Sequence, residues 1–121
     1  MKSEENDLNI LIGRKVAVLN IHRWGGQLIL DSEGSAIKIG FDSGVLFTGS
    51  DGKTIELDDM RTSGGLMCSI LDIAIVGVEG RSPDPKYADY QLVLKFEGDT
   101  RLEIMCCAFV NVEEQQIFPK A

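Results

Sequence analysis

The sequence predicts a mainly β fold: a single-domain antiparallel β-sandwich or half-barrel of about eight to nine strands, with one short helix at about 62–71. Three observations lead there. Apolar and polar residues alternate along most of the chain, as in AIKIGF (36–41), where Ile37, Ile39 and Phe41 point one way and Lys38 the other. The alternating runs are separated by short, turn-rich links such as Ser50-Asp51-Gly52. A length of 121 residues, 44% hydrophobic and 26% charged, suits one core rather than two.

Taken in order, residues 1–7 are expected to form a disordered acidic tail ahead of the domain. KVAVLNIHRW (15–24), QLILD (27–31), AIKIGF (36–41), VLFTG (45–49) and KTIELD (53–58) read as five strands. Asp51-Gly52 supplies the positive φ of a tight hairpin turn. The links at 25–26, 32–35 and 42–44 are too short for a parallel crossover, which predicts an antiparallel meander. Between Asp58 and Leu71 the spacing changes: Leu66, Met67, Ile70 and Leu71 recur at three and four, with Thr62 or Ser63 available as N-cap, and this is the expected helix. Period two returns in DIAIVGVE (72–79), DYQLVLKFE (89–97) and TRLEIMCCAFV (100–110), and EEQQIF (113–118) suggests a last edge strand.

The chain also echoes itself. Leu28-Ile29-Leu30, Glu33-Gly34 and Ile37-Lys38-Ile39 reappear as Leu92-Val93-Leu94, Glu97-Gly98 and Leu102-Glu103-Ile104, each set following a Val/Ile-rich strand, VAVLNI (16–21) or IAIVGV (73–78). Two similar β units on either side of a helix are one way to build two packed sheets.

Several chemistries find no support. GSDGKT (49–54) ends like a phosphate-binding loop, but Phe47 stands where the first glycine belongs and a strand follows instead of a helix. Glu56, Asp58 and Asp59 lack the order of a calcium loop and look like a solvated strand face. Cys68, Cys106 and Cys107 have no second histidine or C-x-x-C to complete a metal site, and adjacent strand residues face apart; all three read as structural. No metal and no cofactor is therefore expected. The longest apolar run, SILDIAIVGV (69–78), contains Asp72 and is shorter than the roughly 20 residues of a membrane helix. The acidic N-terminus does not resemble a secretion signal, so a cytoplasmic protein is expected, without membrane attachment.

Nineteen acidic against twelve basic residues leave a net charge of −7, a field that repels nucleic acid and attracts cationic proteins. NIHRWGG (20–26) carries the single histidine and the single tryptophan. No base other than His22 is available to a Ser or Cys nucleophile, and nothing pairs it with one, so no catalytic residue is assigned. Trp24, Arg23 and His22 instead suit a partner-binding rim, since Trp and Arg dominate binding hot spots. The acids expected at turns or outward strand positions, Asp31, Glu33, Asp42, Asp51, Glu56, Asp58 and Asp59, complete the candidate contact set.

The succession IGRKVAVLNIHRWGGQLILDSEGSAIKIGF, FTGSDGKTIELDD, DIAIVGVEG and YQLVLKFEGDTRLEIMC resembles an uncharacterised bacterial family of small β-rich proteins. The resemblance runs through Gly13, Val16, Leu28, Leu30, Asp51, Gly52, Leu57, Asp58, Leu94, Phe96, Leu102 and Ile104, which are core and turn positions. It implies a β fold and brings no activity; CCAFVN stands where that family has a proline-bearing tail. In general character the chain is similar to immunity proteins of contact-dependent growth inhibition systems, small acidic cytosolic proteins that cover the active site of a toxin domain. That likeness implies a non-enzymatic inhibitor, monomeric or weakly dimeric, whose partner is a cationic toxin such as a nuclease. The other readings are a protein- or ligand-binding domain without catalysis, an enzyme with a pocket at the Pro83–Tyr87 loop, and a domain that oligomerises through its C-terminal edge strand.

Overall fold

The structure, a computed structural model, describes residues 8–22, 25–31, 36–42, 45–57, 68–81, 90–105 and 108–119. The described residues contain ten strands: β1 (Lys15–His22), β2 (Gly25–Asp31), β3 (Ile37–Asp42), β4 (Val45–Thr48), β5 (Thr54–Leu57), β6 (Ile75–Arg81), β7 (Gln91–Phe96), β8 (Thr100–Ile104), β9 (Phe109–Val112) and β10 (Gln115–Phe118). They form two five-stranded sheets in the orders β1-β2-β3-β9-β10 and β5-β4-β8-β7-β6, and every pairing between strands is antiparallel.

The alternation explains the layers. Val16, Leu28, Leu30, Ile37, Ile39, Phe41, Val110 and Phe118 of the first sheet are buried in one cluster with Val45, Phe47, Ile75, Leu92, Leu94, Phe96, Leu102 and Ile104 of the second. Two inner faces sharing one apolar layer make a β-sandwich. Each such side chain removed from water contributes about 1.5–3 kcal/mol. Leu11 and Ile70, from two 3₁₀ turns at Asn9–Leu11 and Cys68–Ile70, and Leu8, just ahead of the first, close the same cluster.

Four expectations need correction. Gly25-Gly26 is not a link but the start of β2, and Glu113-Glu114 is not part of the last strand but the turn before β10. The run at 100–110 is not one strand: β8 ends at Ile104 in the second sheet, and β9 begins at Phe109 in the first. The first five strands are likewise not one meander, because β3 and β4, although only two residues apart, lie in different sheets. A short link between strands can turn a corner of a sandwich as readily as it can close a hairpin, and sequence alternation is the same in both cases. Of the helix expected at 62–71, the described residues hold only the 3₁₀ turn Cys68–Ile70; residues 62–67 lie outside them, as does the 1–7 tail.

The sandwich is a topological repeat. Each half runs from a 3₁₀ turn through a three-stranded meander, β1-β2-β3 or β6-β7-β8, to a hairpin, β4-β5 or β9-β10, that pairs with the third strand of the opposite half. The entries to the two meanders share a reciprocal pair of hydrogen bonds. Gly13 N–H donates to Ile75 O at 2.7 Å, and Asp72 N–H donates to Val16 O at 2.7 Å. Gly13 and Asp72 both have positive φ, 89° and 64°. A bulge follows at the same place in each, between Val16 and Val18 and between Ile75 and Gly77. These bulges align the halves differently from the sequence echo. Leu19 lies opposite Leu28, and its counterpart Val78 lies opposite Leu94, so Leu28 corresponds to Leu94 and not to Leu92.

Candidate functional site

Both outer faces carry a charged side chain on the third strand of their meander, and the two are treated differently. On β8, Glu103 is only 8% exposed. Its Oε1 accepts from Arg101 Nη2 at 2.6 Å, and its Oε2 lies 3.7 Å from Arg81 Nη1, while Arg81 Nε donates to Glu79 at 3.0 Å. Cross-strand order makes this network: Glu79 and Glu103 flank Val93 in one row, and Arg81 and Arg101 stand two residues along their own strands, on the same face. A carboxylate so far out of water needs such partners.

On β3, Lys38 is half-buried between Ile29 of β2 and Asn111 of β9, and no described carboxylate lies within ion-pair distance. The next row runs Gln27, Gly40, Phe109. A Cβ at Gly40 would run into the Phe109 ring, which lies across it and would have to move. Beyond Asn111 the two-residue turn Glu113-Glu114 links β9 to β10, and its Glu113 N–H donates to Ala36 O at 2.9 Å. Gln27, Ala36, Lys38, Phe109, Asn111, Glu113 and Glu114 together line an open concavity of about 660 Å³, within the size range of small-ligand sites.

Two features of this concavity carry a cost. Asn111 Oδ1 is buried and has no hydrogen-bond partner, a deficit of about 1–3 kcal/mol for a polar atom. Glu113 and Glu114 both have positive φ, 50° and 69°. A turn of that kind favours Asn-Gly, and a side chain with a Cβ costs roughly 1–2 kcal/mol per residue in the left-handed region.

No family model, no curated protein and no solved structure matches this chain. Its chemistry therefore has to be read from its own residues.

The residues singled out from sequence are dispersed. Asp42 ends β3 opposite Gly25, which also faces His22, so His22 and Asp42 stand in one row at one end of the first sheet. Of His22 the backbone alone is described, and Arg23, Trp24, Glu33, Asp58 and Asp59 lie outside the described residues. Asp31 is exposed at the far end of β2, opposite Lys15 and about 20 Å from that row at strand rise. Glu56 is exposed on the edge strand β5. Asp51 is exposed in the β4–β5 turn, where its Oδ1 accepts from Lys53 N–H at 3.0 Å and Gly52 takes the expected positive φ of 84°. That turn borders a smaller concavity of about 280 Å³. Among the described residues, no group of three or more His, Cys, Asp or Glu is placed to hold a metal ion, and no helix is long and apolar enough to cross a membrane. Cys106, Cys107 and the Pro83–Tyr87 loop lie outside the described residues.

Sequence reading missed Asn111, Phe109 and the Glu113-Glu114 turn. The visible signal was a two-residue link between strands with Glu-Glu where Asn-Gly is favoured.

Proposed function

We propose that this chain is a binding protein that acts by surface capture: an immunity-type inhibitor, working in the cytoplasm, that covers the active site of a basic toxin domain. One observation carries the reading. The carboxylates within the second sheet's outer face, Glu79 and Glu103, are neutralised by Arg81 and Arg101, whereas Asp31, Asp42 and Glu56, at strand ends and on an edge, are exposed and in no ion pair with a described residue. In a chain of net charge −7, these described carboxylates lie where an approaching partner meets them. Opposite charge on a toxin that grips phosphate speeds encounter and excludes wrong partners. The motif resemblance to a bacterial family of small β-rich proteins belongs to the same proposal.

Co-expression with a panel of basic toxin nuclease domains tests it. Rescue of growth is expected with one of them, with association that slows steeply as salt is raised and slows further in an Asp31→Lys/Asp42→Lys variant. Failure to rescue growth or to bind any panel member at low salt overturns the reading. A second reading, a ligand-binding domain without catalysis, is favoured by the concavity beside Lys38.

A further inference from the structure

We propose that the concavity on the outer face of the first sheet binds a small zwitterion, an amino-acid-like molecule with one carboxylate, one ammonium group and an apolar body. Three anomalies converge on it, and each matches one part of such a ligand. Lys38 is a half-buried cation without an ion-pair partner among the described residues, whereas Arg101, at the matching position of the other outer face, is paired with Glu103. A ligand carboxylate meets that need. Glu113 and Glu114 hold a left-handed turn in a conformation their side chains disfavour, and the turn sets two carboxylates on the rim. Strain kept at a concave surface points to use of the groups it positions, and carboxylates call for an ammonium. Asn111, directly opposite Lys38 in the ladder, has a carbonyl oxygen without a donor. An N–H pressed onto the floor, with Asn111 turning about its own side-chain torsions, removes the deficit.

The remaining lining fits the apolar body. Phe109 lies flat over Gly40 and offers a ring face on the floor, next to Gln27. The opposed signs of Lys38 and the Glu113-Glu114 rim select against a ligand with a single charge, since a simple anion meets two carboxylates and a simple amine meets the lysine. The volume of about 660 Å³ admits any single amino acid. This site shares no residue with the acidic positions proposed for partner capture, so the two proposals stand or fall separately.

The test is titration of the intact protein with L-leucine and L-phenylalanine, read by backbone amide chemical shifts and by melting temperature, beside isocaproate and isoamylamine, which keep one charge each. Saturable shifts confined to residues 27, 36–40 and 109–116 are expected for the amino acids, with affinity for the single-charge analogues weaker by roughly tenfold or more. Lys38→Met and Glu113→Asn/Glu114→Gly are each expected to abolish the difference between zwitterion and analogue. The second variant installs the favoured turn, so it folds at least as well as the parent and its loss of binding is not a loss of structure. Absence of saturable shifts with all twenty amino acids at millimolar concentration overturns the proposal. So does equal binding of isocaproate, which reduces the site to an anion contact, or binding that both variants leave intact. Asp31→Lys/Asp42→Lys, which tests partner capture, is expected to leave the titration unchanged.

Discussion

Lys15 and Ala74 face each other in an isolated antiparallel bridge, and they are the same residue of the repeat, each one position before Val16 or Ile75. A position that pairs with its own counterpart marks the axis relating the two halves. Around it, reciprocal hydrogen bonds from Gly13 and Asp72 tie the first strand of one meander to that of the other. The hairpins β4-β5 and β9-β10 then cross over, so each sheet is built from both halves.

Neither half is expected to fold alone as a monomer. Residues 1–61 carry β4-β5 without β8 and β3 without β9, which leaves two ladders and half the core unpaired. The two halves made as separate chains are expected to reassemble, giving dispersed amide spectra only when mixed. A folded monomeric half would contradict the exchanged-hairpin account.

Glu103→Ala is expected to cost about 1–2 kcal/mol. A buried ionic contact removed on one side costs more, but Arg81 and Arg101 are 39% and 45% exposed and regain water. Urea unfolding measures it, and a neutral result would mean that the network contributes nothing to stability.

Gly40→Ala drives the new methyl group into Phe109 and is expected to destabilise by about 1–3 kcal/mol. In a Phe109→Ala background the same change should cost much less. Additive losses in that double-mutant cycle would show that the ring does not lie on Gly40.

Gly13→Asp should be mild, under about 1 kcal/mol, because Asp72 already occupies the equivalent left-handed position. Gly13→Val, with a branched Cβ at the same φ, is expected to cost about 2 kcal/mol or more. Thermal unfolding of the two variants checks the order; equal losses would remove the correspondence between Gly13 and Asp72.

Much of the fold is legible locally. The period-two runs place β1 to β7 within a few residues, Asp51-Gly52 announces its turn, and the inward sets Leu28/Leu30 and Ile37/Ile39/Phe41 are buried as alternation requires. The candidate site is far less legible. Lys38 and Asn111 are far apart in the chain, and nothing near either one records that they become cross-strand neighbours. Exposed acids such as Asp31 and Asp42 are visible in the sequence as charge, but not their distance from each other.

The sequence by itself determined that the chain is built of antiparallel strands, which faces of most of them turn inward and that the net charge is negative, since these follow from side-chain period, turn chemistry and composition. Tertiary structure alone decided that β3 and β4 part company, that 100–110 breaks into strands of different sheets, and that Lys38, Asn111, Phe109 and Glu113-Glu114 share one hollow. The reason is physical. Alternation specifies a face but not a partner, and a hairpin and a sheet-crossing corner bury the same residues through links of the same length.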